Sequence, residues 1–165
     1  MRIKIFILLG LLAPTVLMAS ACNFASSVFF VQTSEQAILK PGYLILKNPD
    51  PRILCFADAP STAASVQSLS KYMLTWTAQT GSFEKTNPNA ALVGFIVNKK
   101  SHKEERLSAV LVLKHAHYDA VSNTLTYDVS KSFLVPKAKL AHQANLVHPT
   151  LFIDPNIAPA GLGSL

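Results

Sequence analysis

Arginine, cysteine, long apolar runs and catalytic signatures are all scarce in this 165-residue chain, and each scarcity removes a class of protein. Arginine occurs three times, at Arg2, Arg52 and Arg106. Because arginine dominates phosphate and base readout, a basic chain so poor in it is not built to read nucleic acid. No segment reaches the roughly 20 consecutive apolar residues a membrane-spanning helix needs without a charge, proline or polar break. There is no Gly-x-Ser-x-Gly elbow, no His-Glu-x-x-His helix, no phosphate-cradling glycine loop and no dinucleotide fingerprint, so the sequence leans away from an enzyme and implies no cofactor. No repeat or low-complexity segment interrupts it.

What is present begins with a leader. Arg2 and Lys4 precede the apolar run Ile5 to Leu12, Pro14 breaks it, and Ala19-Ser20-Ala21 offers small residues where a signal peptidase cuts. The pattern predicts a signal peptide over 1–21, a single β-rich domain over 22–154 and a loose or surface-strapped tail over 155–165. It predicts an exported protein, periplasmic or secreted. Without the leader, 13 basic residues stand against 9 acidic ones, a net charge of +4. The lysines gather at Lys99-Lys100-Ser101-His102-Lys103 and Lys137-Ala138-Lys139, which reads as solvated loop.

The two cysteines, Cys22 and Cys55, are expected to form a disulfide in an oxidising compartment. Closing a loop of about 30 residues stabilises by on the order of 3 to 4 kcal/mol. The alternative is a lipoprotein whose first residue is an acylated Cys22, the one route by which this chain would meet a membrane. Ala19 stands where such signals usually carry leucine.

Strand composition runs through Val28-Phe29-Phe30-Val31, Ala37-Ile38-Leu39, Tyr43-Leu44-Ile45-Leu46 and Ile53-Leu54-Cys55-Phe56. Pro41-Gly42 and Asn48-Pro49-Asp50-Pro51 read as turns between them. Their alternation is imperfect, as in strands covered on both faces. Val66, Leu69, Met73 and Trp76 recur at helical spacing and predict one amphipathic helix over about 65–79, capped by Ser61, Ser65 or Ser68 and stopped by Gly81. Strands resume at Ala90 to Val97, Leu107 to Leu113, Thr124 to Val129 with Ser132 to Val135, and Leu151 to Ile153. Residues 136–150 read as a long irregular connection. The fold expected is mainly β: an antiparallel sandwich or open barrel of about seven or eight strands with one packed helix.

Few residues could carry chemistry. His115 and His117, two apart on a strand, could share a metal with a third ligand from His142, His148, Asp119 or Asp154. Asp58 and Asp154 each follow a strand beside a proline, where aspartate commonly accepts backbone hydrogen bonds. Trp76 suits the core and Asn89 a turn.

The order of Phe56-Ala57-Asp58-Ala59-Pro60, Trp76, Ser82-Phe83, Pro88-Asn89-Ala90-Ala91-Leu92, Tyr118-Asp119, Leu125-Thr126-Tyr127 and Leu151-Phe152-Ile153-Asp154 resembles a group of exported bacterial β-rich proteins of uncharacterised function. An arginine that the group often carries is Ala59 here. The resemblance implies export and one β-rich domain, with Asp58, Trp76, Asn89 and Asp154 as turn and core fixtures, and transfers no activity. The expected function is therefore a non-enzymatic binding or interaction module. Its partner would be a protein or another envelope component, met through an exposed sheet face and the 136–150 connection. Metal binding through His115 and His117 is one alternative, and a lipid-anchored envelope component through Cys22 is the other.

Overall fold

The computed structural model describes Cys22 and residues 28–57, 63–77, 83–97, 103–135 and 143–155. The leader over 1–21, Asp58, His142 and the tail beyond Pro155 lie outside the described residues, as do Lys137 to Lys139 and most of the lysine cluster at 99–103. No helix of the described residues is long and apolar enough to cross a membrane.

The elements are β1 (Val28–Lys40), β2 (Tyr43–Pro49), β3 (Arg52–Ala57), β4 (Ala63–Ser68), α1 (Leu69–Thr77), α2 (Phe83–Thr86), β5 (Asn89–Val97), β6 (Glu104–Asp119), β7 (Thr124–Val135) and β8 (Ala144–Asp154). All strand pairings are antiparallel, in the order β2-β7-β6-β5-β8-β1-β3-β4, and β2 also returns to β1. Six strands therefore close a ring, β1-β2-β7-β6-β5-β8, and β3-β4 leaves it as a flap from the first half of β1. The mainly antiparallel β architecture with a packed helix is the one the strand patterning leads to.

The flap exists because Asn48-Pro49-Asp50-Pro51 bends the chain without reversing it. β2 pairs with β1 from Tyr43↔Lys40 to Pro49↔Ser34, and β3 continues the same way from Leu54↔Val31 to Ala57↔Val28. Two prolines without donors and Asn48 at φ 48° break the ladder, and the edge strand steps off the ring. Polar groups are rebuilt around the break. The Asp50 amide donates to the Thr33 carbonyl at 2.9 Å, and the buried Gln32 side chain donates to the Thr33 and Asp50 carbonyls at 2.9 and 3.2 Å.

Two other expectations need correction. The helix starts at Leu69, because 63–68 is strand β4, laddered along β3 from Ala57↔Ala63 to Arg52↔Ser68. Helical spacing misassigned Val66, whose neighbours Ser65 and Gln67 instead alternate with it in strand fashion, inward where it points outward. Ser68 is the cap that forms, its hydroxyl accepting from the Lys71 amide at 3.2 Å. The 136–150 connection is also shorter than expected, since β8 begins at Ala144 and runs between β5 and β1. Pro149 concealed it. The ladder absorbs that proline in a bulge, where His148 takes φ 48° and two residues of β8, His148 and Pro149, face the single Gly94 of β5. Gly94 sits in this bulge, and a Cβ there would meet Leu146 at 2.7 Å (Cδ2) and 3.2 Å (Cβ).

Inside the ring, Leu44, Leu46, Leu92, Leu111, Leu125 and Ile153 are among the fully enclosed side chains. Helix α1 packs its Leu69, Tyr72 and Trp76 face into this core. Trp76 lies 5.3 Å from the Phe83 ring and 5.4 Å from Tyr127, and Phe30 joins Tyr72 and Phe83 at 5.5 and 5.6 Å. The Tyr127 hydroxyl donates to that of Tyr72 at 3.4 Å. Burial pushes the Tyr72 hydroxyl up to about 12, and burial beside Tyr72 pushes Tyr127 well above its ordinary range.

Candidate functional site

Consecutive apolar residues on a strand point to opposite faces, so a run such as Phe29-Phe30-Val31 supplies both faces at once. Across the sheet these runs fall into register. One cross-strand row reads Leu111, Ala90, Ile153, Phe30, Cys55 from β6 to β3 and is buried throughout. The row beside it, on the outer face, reads Val110, Ala91, Phe152, Val31, Leu54, Val66 from β6 to β4. Its six strands span roughly 24 Å at the usual strand spacing. Val110 is 51% exposed, Val66 48%, Phe152 46% and Leu54 43%. Phe29 and Phe56 stack next to it, ring centroids 5.3 Å apart.

Between β6, β5, β8 and β1 this surface dips into a shallow groove of about 280 Å³ lined by Phe29, Ala91, Val110 and Phe152, with Asn89 and Asp154 also on its wall. Asn89 and Asp154 are cross-strand partners, at the first position of β5 and the last of β8. The structure thus brings two of the residues singled out in the sequence to one outer-face site. Trp76 sits in the core, fully buried.

A second, polar groove of about 550 Å³ lies at the β2–β3 break, where Glu35, Asn48, Asp50, Arg52, Asn123 and His148 meet. Its side chains are largely engaged with one another. Asn48 donates to Glu35 at 2.7 Å, and the Asp50 carboxylate accepts from the Arg52 amide at 2.9 Å and its Nε at 3.3 Å. The Arg52 amide, more than its guanidinium, holds the Asp50 carboxyl below its ordinary value.

His115 and His117 both lie within β6, not at its end, and both are exposed. His115 takes φ 43° at a bulge between Lys114 and His117, and its Nδ1 lies 2.9 Å from the Asp128 carboxylate. No group of three or more His, Cys, Asp or Glu side chains positioned for a metal occurs among the described residues. Asp119 closes the turn after β6, accepting from the Ser122 hydroxyl at 2.6 Å and the Val121 amide at 2.9 Å, and these bonds lower its pKa. Cys22 and Cys55 are joined as a disulfide, Cα atoms 6.2 Å apart and 33 positions apart in sequence.

The outer row was missed in the sequence although its signal was there. The imperfect alternation of Val28-Phe29-Phe30-Val31 and Ile53-Leu54-Cys55-Phe56 reads in the sequence as that of strands covered on both faces. The described residues cover only one. Comparison of the chain with protein-family models, curated proteins and solved structures finds no match.

Proposed function

We propose that the chain is an exported, non-enzymatic binding module that holds a partner protein of the cell envelope against the apolar outer face of β6, β5, β8, β1, β3 and β4. One observation carries the reading. Six strands in succession place an apolar side chain at the same outward row, ending in residues two-fifths to one-half exposed. Contiguous exposed apolar surface of this kind marks interaction sites in soluble proteins. The partner that fits it presents complementary apolar side chains to the groove at Phe29, Val110 and Phe152.

Export is supported by the leader pattern and by the Cys22–Cys55 pairing, which an oxidising compartment maintains. A Cys22 sulfur bonded to Cys55 has no thiol to acylate, which favours the disulfide over the lipid anchor. With Asp128 at Nδ1, the ring nitrogen that His115 could offer a metal is Nε2.

Photocrosslinking from the exporting cell tests the face. A photoreactive residue at Val110 or Leu54 is expected to capture one common protein. The same residue at Val121, which is 98% exposed in the β6–β7 turn, is expected to capture none of it. Equal capture from all three positions, or none from Val110 and Leu54, removes the reading. Intact mass of the exported protein tests the rest: two protons below the reduced 22–165 polypeptide indicates the disulfide, and added acyl chains the lipoprotein.

A further inference from the structure

Ring closure gives both edges of β1, β5, β6 and β8, and of β2 over Tyr43–Lys47, a strand to pair with, but β4 is the last strand in the order and ladders only with β3 among the described residues. Edge strands of soluble proteins are normally guarded by a charge, a proline, a bulge or a covering element. Ala63-Ala64-Ser65-Val66-Gln67-Ser68 has no charge and no proline, and its register with β3 is unbroken over all six residues. The outer apolar row runs up to this edge and stops there, at Val66.

From these observations we propose that β4 pairs with β4 of a second copy of the chain, antiparallel about a two-fold axis at Val66. Antiparallel pairing of a strand with itself is self-complementary, so it closes as a dimer and does not propagate. The pleat restricts the register. Outward residues must face outward residues, and a slip of one would set Val66 against an inward side chain of the other copy. With the axis at Val66, the two valines face each other and each Ala64 faces the other copy's Ser68. The row Leu54–Val66 then continues directly into Val66–Leu54 of the second copy, and the two six-strand apolar faces become one surface. No like charges meet anywhere along the shared edge. Ser65 and Gln67 face inward and keep their places against the core.

The dimer shares its apolar row with the partner-binding reading above, so the experiment separates the two. Sedimentation velocity of the purified, disulfide-bonded protein is expected to show a dimer at tens of micromolar. Val66→Lys, which sets two ammonium groups against each other across the axis, is expected to be a folded monomer whose melting temperature, unlike that of the wild type, does not rise with protein concentration. Val66→Cys is expected to cross-link into a covalent dimer under mild oxidation, whereas Val110→Cys, at the far end of the same row, is not. A wild-type monomer at every concentration, a dimer that Val66→Lys leaves intact, or equal cross-linking from both cysteines overturns the proposal. So does a monomer carrying another protein's strand on β4. A monomer that still yields the Val110 photocrosslink removes the dimer and leaves the partner reading standing.

Discussion

The outer surface has two halves that obey different rules. Over β2 and β7 the outward pairs are Tyr43 with Asp128, Ile45 with Thr126, and Lys47 with Thr124, a mixed polar surface backed by buried Leu44, Leu46, Leu125 and Tyr127. This is the alternation expected of a sheet with one wet face. Over β6, β5, β8, β1, β3 and β4 one outward row is apolar at every strand, although from β6 to β3 the inward row behind it is just as apolar. Both halves belong to one curved sheet around one core, so stability of the core does not account for the difference. An outward Phe152 or Leu54 adds nothing to the interior that a threonine would not leave intact, which is why the apolar half is read as a contact surface.

The contrast is broken most directly by truncating an aromatic on each side of the sheet. Trp76→Ala empties a fully buried site and is expected to cost about 3 to 5 kcal/mol in chemical denaturation. Next, Cys22→Ser removes the tie between the chain entering β1 and the flap strand β3, and is expected to cost roughly 2 to 4 kcal/mol by the same measurement. A loss no larger than that of an exposed substitution would mean the flap is held by packing alone.

Alkaline titration probes the inner side chemically. In the unfolded chain Tyr72 ionises near its ordinary value of 10, whereas in the folded protein it holds its proton up to about 12. The folded state binds the proton more tightly, so this contribution is complete below pH 10 and is lost as pH rises from about 10 to 12. The loss is expected to be on the order of 2 to 3 kcal/mol, with Tyr127 acting in the same direction. Tyrosinate absorbance that appears together with unfolding, and not before it, is the expected signature for these two rings. Ionisation of all the tyrosines in the still-folded protein would contradict it.

Gly94→Ala presses a methyl group onto Leu146 in the β8 bulge and is expected to cost about 1 to 3 kcal/mol. The smallest effect is the most telling. Phe152→Ala on the outer row is expected to change stability by no more than about 0.5 kcal/mol while abolishing the crosslink from Val110. A loss comparable to that of Trp76→Ala would show that the outer face is already covered within the monomer, and the distinction between the two halves would disappear.

Much of this fold was legible in the sequence because strand formation is largely a local matter. Val28 to Val31, Ile53 to Phe56 and Thr124 to Val129 are β-branched and aromatic runs bounded by turn residues, and each forms a strand. The failures were positions where neighbours overrode the local signal. Val66 matched a helical stripe but lies in β4, because pairing along β3 satisfies its backbone. Pro149 argued for a loop but lies in a central strand, because a bulge against Gly94 accommodates it. The Asn48–Pro51 segment reads as a turn, and only the structure shows that the chain bends there without reversing, since direction depends on which partner strand receives the chain next.

The alternation of residue types, the turn residues and the two cysteines were enough to dictate a β-rich chain with a single crosslink, since side-chain direction and backbone preference are set within a few positions. Which apolar face is covered was decided only by the tertiary structure. A strand such as Leu151-Phe152-Ile153 presents nearly equal hydrophobicity to both sides, and only the closing of the ring, with α1 packed into it, selects Ile153 for the core and leaves Phe152 outside.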